Sequence, residues 1–110
     1  MAITNKGILE LRDYIKNNWK YLALEDIYGD EILRVALEDT DYTDVADSSF
    51  TIHKVFTGQD IGVGKTVAKA ILYSDESTQE AKAIALIEQA KINTTQDTFK
   101  IDIAVSIGGK

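Results

Sequence analysis

Three places in this 110-residue chain hold residue types that do chemistry in other settings. Gly62-Val63-Gly64-Lys65-Thr66 suggests a phosphate-binding loop. Such a loop needs a glycine-rich cradle of backbone N–H groups, a lysine on the β- and γ-phosphates and a hydroxyl on magnesium. The full spacing requires glycine five positions before Gly64, where Gln59 stands, and Gly58 is one residue too far. A glycine-rich turn is the expected structure. Asp39-Thr40-Asp41-Tyr42-Thr43-Asp44 has the acid spacing of a calcium loop. An EF-hand puts glycine at its sixth position and glutamate at its twelfth; Asp44 and Phe50 occupy them here. His53 is the single histidine. Catalysis would require a nucleophile and an orienting carboxylate around it, and one histidine cannot form a multi-histidine metal site. A structural or surface role is expected for His53. No catalytic residue, cofactor or metal is expected.

Composition narrows the class. One domain spanning residues 1–110 is expected, long enough for a single core. Hydrophobic residues make up 45% and charged residues 27%, ordinary globular proportions. No apolar run approaches the ~20 residues needed to cross a bilayer, and no leader with a basic start and apolar middle is visible. With no cysteine, the fold rests on packing or on partners rather than disulfides. The net charge is −6, unevenly placed: Glu25 to Asp47 holds nine acids and one base, Arg34, leaving +2 for the remainder. No dense basic stripe is present for a phosphate backbone, so nucleic acid is not an expected partner. A solvated loop is the common setting for such an acidic run. The alternative is a face complementary to the near-neutral remainder, with Asp39, Asp41 and Asp44 as candidate assembly contacts.

Periodicity marks the elements that would position these residues. Thr4 or Asn5 can cap a helix over about 5–18, on which Ile8, Leu11, Ile15 and Trp19 form an apolar stripe. Trp19 to Leu24 reads as a short strand, and Glu31 to Leu37 is ambiguous between strand and helical turn. Asp39 to Ser49 reads as a loop. Phe50 to Phe56 and Thr66 to Tyr73 are β-rich, separated by a turn over Gly58 to Gly64. Glu80 to Ala90 is rich in helix formers, yet a strand there could pair with the last segment of the chain. In that last segment Phe99, Ile101, Ile103, Val105 and Ile107 alternate with Lys100, Asp102, Ala104 and Ser106, a strict period of two. The expected fold is α+β: one N-terminal helix packed on a mostly antiparallel sheet. It closes with a C-terminal hairpin of Lys82–Ile92 against Phe99–Ile107 across the turn Asn93-Thr94-Thr95-Gln96-Asp97.

The opening Ile3-Thr4-Asn5-Lys6-Gly7-Ile8-Leu9-Glu10-Leu11-Arg12-Asp13 resembles small tail, baseplate and tail-fibre-attachment proteins of tailed bacteriophages. The likeness continues in Tyr21-Leu22-Ala23-Leu24, in Ala68 to Tyr73, and in the closing segments Lys82 to Ile87 and Phe99 to Ile103. It implies a non-enzymatic virion protein made in the host cytoplasm. Such a protein would act in the tail, baseplate or neck as an assembly or fibre-attachment module. Its partners would be copies of itself, as a homo-oligomer, and other virion proteins, with no nucleic acid and no membrane. The alternatives are a capsid decoration or stabilising protein and, less favoured, a nucleotide-dependent regulator built on Gly64-Lys65-Thr66.

Overall fold

The computed structural model describes residues 1–107. The Thr4 hydroxyl accepts the Gly7 N–H at 3.1 Å and opens helix α1 (Asn5–Asn18). The Trp19 N–H closes the helix on the Ile15 carbonyl at 2.8 Å. Strands β1 (Tyr21–Asp26) and β2 (Glu31–Ala36) form an antiparallel hairpin. Its turn is held by the buried Asp26 carboxylate, which accepts from the N–H groups of Tyr28 and Asp30. A 3₁₀ turn (Asp39–Asp41) leads into β3 (Tyr42–Ala46) and β4 (Ser49–Thr57). A one-turn helix α2 (Gly58–Ile61) precedes β5 (Thr66–Tyr73), β6 (Ala83–Lys91) and β7 (Thr98–Ser106).

All pairings are antiparallel, giving the expected α+β class, but the strands divide between two sheets. One runs β2-β1-β5-β6 and the other β3-β4-β7. Alternation along each strand sends one set of side chains to a shared interior. Leu22, Leu24, Val67, Ala70 and Leu72 come from the first sheet, and Phe50, Ile52, Phe56 and Ile101 from the second. A smaller cluster on the other face of the first sheet gathers Ala23, Ile71 and Tyr73. There the Arg34 guanidinium lies 3.6 Å over the Tyr73 ring and donates to the carbonyls of Asp75 and Thr78.

Several expectations are corrected. The closing strands both form, and the ambiguous segment before the last turn is a strand, yet the two do not pair as a hairpin. β6 joins β5, and β7 joins β4 over nine residues from Ser49↔Ser106 to Thr57↔Thr98. Phe99, Ile103 and Val105 then lie opposite Phe56, Ile52 and Phe50, so the alternation of β7 completes the second sheet's apolar face. The segment Asp39 to Ser49 is a 3₁₀ turn and a strand rather than a loop. Its polar residues are carried by pairing with β4 and by Tyr42, whose ring meets Phe50 edge-on at 5.6 Å. Glu31 to Ala36 resolves to β2 through its ladder with β1. On α1, Ile15 and Trp19 pack against the core as expected, but Leu11 is 42% exposed and Arg12 is buried in its stead. The helix faces the end of β3, where Arg12 Nη1 donates to the Ala46 carbonyl at 2.8 Å.

The step between sheets is tight at one point. The Gly58 N–H donates to the Asp97 carbonyl at 2.7 Å, and a Cβ at position 58 would sit 2.0 Å from the Thr94 carbonyl oxygen. Gly58→Ala is expected to cost ~3 kcal/mol, because backbone must move. Gly29→Ala, at φ +86° in open space, is expected to cost about 1 kcal/mol for the left-handed backbone alone. Urea midpoints of the two variants check the ordering.

Candidate functional site

The glycine segment is a closed turn. Gly62 and Gly64 take φ of +107° and +91°, conformations open to glycine. The N–H groups of Gly62, Gly64 and Lys65 donate to the carbonyls of Gly58, Ile92 and Gly62 at 2.8, 2.8 and 3.2 Å. A phosphate cradle needs those donors free. Thr66 opens a strand, whereas a phosphate loop opens a helix. Asp26 and Asp30 line the same depression as Lys65 and Lys91, so two acids offset its two bases.

The three acids singled out as assembly contacts are placed in different settings. Asp41 accepts from Lys54 Nζ at 3.0 Å and from the Glu38 N–H at 2.8 Å, tying the 3₁₀ turn to β4. Asp44 accepts from Lys16 Nζ at 2.7 Å and lies 3.3 Å from Arg12 Nη2, tying β3 to α1. Asp39 stands 98% exposed, with Lys20 Nζ 3.6 Å away. Two of the three carboxylates therefore hold the chain's own elements together, and reversing their charge would strike the fold as well as any partner. Between them the Tyr42 hydroxyl is pushed up to about 12, by burial first and then by Asp41 and Asp39.

His53 and Asp102 face each other across β4 and β7, and the ring Nδ1 meets the carboxylate. The pair supplies the orienting half of a catalytic triad. No hydroxyl is hydrogen-bonded to the ring's other nitrogen among the described residues. Among them, likewise, no cluster of three or more metal-ligating side chains forms.

Strands β6 and β7 end different sheets and run beside each other. A cleft of about 610 Å³ lies between them, lined by Ile87 to Ala90 on one side and Phe99 to Ile103 on the other. Consecutive residues from both strands line it, so the cleft faces two strand edges rather than two sheet faces. A second hollow of about 200 Å³ continues along the same seam and reaches Leu22, Ile52 and Leu72 in the core. On the outer face of β6, Ile84 and Leu86 are 61% and 79% exposed. The alternation of Ala83 to Ile87 carries the signal for this strand, but pairing is long-range and nothing local marks its edge as open.

Acid stability rests on the turn carboxylates. Lys16 holds Asp44 below its ordinary value of 3.8, the N–H groups of Ser77 and Thr78 do so for Asp75, and those of Asn93 and Thr94 for Asp97. A carboxylate whose folded value is depressed adds stability that is present above its unfolded value and lost as pH falls through the folded one. The urea midpoint is expected to hold from pH 7 to about 5 and to decline below about 4. Asp97→Asn is expected to flatten part of that decline. Compared with protein-family models, curated proteins and solved structures, this chain matches none, so its function has to be read from its own residues.

Proposed function

We propose that this chain is a non-enzymatic structural protein of a tailed-phage particle, seated in the tail, baseplate or neck, that joins its neighbours through a sheet edge. One observation carries the assembly role: β6 is a nine-residue edge strand whose solvent face bears Ile84 and Leu86. Exposed strand edges are templates for pairing with another chain, and large exposed apolar side chains together mark interaction surfaces. The particle itself is supported by the resemblance of the opening helix and closing strands to phage tail proteins. The protein's partners in this role are copies of itself and other virion proteins, met after synthesis in the host cytoplasm.

The test is location. Particles produced by the genome that encodes this chain are purified and labelled with an antibody to it. Label confined to the tail, baseplate or neck is the expected result. Label over the head would favour a decoration protein instead, and particles without the chain would remove the virion role altogether.

A further inference from the structure

The depression beside the glycine turn holds four charged side chains that the fold does not spend on one another. Asp26 and Asp30 come from the turn between β1 and β2, Lys65 from the turn before β5, and Lys91 from the end of β6. Among the described residues none of the four enters an ion pair. Asp26 is 5% exposed, and its Oδ1 accepts from the N–H groups of Tyr28 and Asp30 at 2.9 and 3.0 Å. Its Oδ2 takes no hydrogen bond. The sealed orphan atoms among the described residues are Arg34 Nε and the Tyr42 hydroxyl, so Oδ2 opens on the depression. Beside these charges stand Ile27, Tyr28 and Val63, 44%, 82% and 56% exposed.

Both turns are pinned by backbone bonds. The Asp26 N–H donates to the Asp30 carbonyl at 3.0 Å, and the Ile92 N–H donates to the Lys65 carbonyl at 2.9 Å. A site carried on pinned turns loses little freedom when a ligand arrives.

We propose that this depression binds a neutral saccharide, with Tyr28 as its stacking platform. The volume of about 590 Å³ lies within the roughly 300–1,000 Å³ usual for small-molecule sites. Two acids and two bases cancel, so neither an anion nor a cation gains a net field. The ligand that matches this lining is uncharged, offers donors and acceptors together, and has one apolar face. A pyranose ring meets all three conditions. Each of its hydroxyls donates one hydrogen bond and accepts others. They donate to Asp26 Oδ2 and Asp30, and accept from Lys65 and Lys91. Such charge-assisted bonds are roughly twice as strong as neutral ones. The C–H face of the ring lies on the Tyr28 side chain.

The charged alternatives fit less well. A phosphate would meet two carboxylates and find the N–H groups of Gly64 and Lys65 already bonded. A metal ion would meet two ammonium groups, with no third ligand beside the two acids among the described residues. Ile84 and Leu86 take no part in this site, so it is independent of the assembly reading.

The experiment titrates the isotope-labelled full chain in turn with glucose, galactose, N-acetylglucosamine, maltose and lactose at millimolar concentration, reading amide chemical shifts. At least one of these sugars is expected to move the amides of Asp26 to Asp30 and Val63 to Thr66 while leaving α1 unmoved. Tyr28→Ala, at an exposed position, is expected to weaken binding of that sugar roughly tenfold with unchanged circular dichroism. Lys65→Ala should weaken it too, whereas Tyr14→Ala, exposed on α1, should not. Affinity should hold as ionic strength rises, because the ligand carries no charge for salt to screen. Silence with all of these sugars overturns the proposal. So does binding that survives Tyr28→Ala or moves amides outside the two turns. A response to inorganic phosphate or magnesium and to no sugar would make this an ion site, and overturns it as well. Sugar binding by a chain that is absent from particles would leave this site standing and remove the phage role. Particles that contain a chain blind to sugars would do the reverse.

Discussion

Everything in this fold depends on β7 choosing β4 over its neighbour in sequence. A hairpin of β6 and β7 would close over the short turn Asn93–Asp97, whereas the ladder with β4 spans a connection of roughly 40 residues, a difference of about 2 kcal/mol in loop closure. Burying a single Phe, Ile or Val side chain returns about 1.5–3 kcal/mol. β7 brings Phe99, Ile101, Ile103 and Val105 to the core side at once. Packing therefore outweighs chain proximity. The consequence is two open sheets in place of one closed surface, and a seam along β6 that reaches Leu22, Ile52 and Leu72.

The acidic stretch has a structural role in that arrangement. Asp26 holds the turn between β1 and β2, Asp41 holds the 3₁₀ turn to β4, and Asp44 holds β3 to α1. Each carboxylate answers a specific donor, so the local charge of this region is distributed over joints. Asp39 alone among the three assembly candidates stands fully in solvent. Exposed apolar side chains lie elsewhere, on β6 at the end of the first sheet, where Ile84 and Leu86 face solvent.

Local signals were legible where local physics decides. The hydroxyl cap at Thr4 and the 3.6-residue stripe marked α1 within a residue, and the period of two marked β7. The strand nature of 83–91 was ambiguous, because its alanines and glutamate favour a helix and the ladder with β5 overrides them. β3 was hidden for the same reason: Tyr42 to Ala46 extends because β4 lies beside it. The burial of Arg12 has no sequence signature, since it depends on where α1 meets the Ala46 carbonyl. Partner choice between strands was invisible, and with it the open edge.

Residue-resolved amide hydrogen exchange along β6 tests the central claim most directly. In a strand bonded on one side, alternate N–H groups point to the neighbour and to open space. In dilute solution the account predicts alternating protection from Ala83 to Leu86, slow where β5 accepts and fast in between, before the ladder shifts register. Equal protection of both sets would mean that β6 is bonded on both sides, and would contradict it.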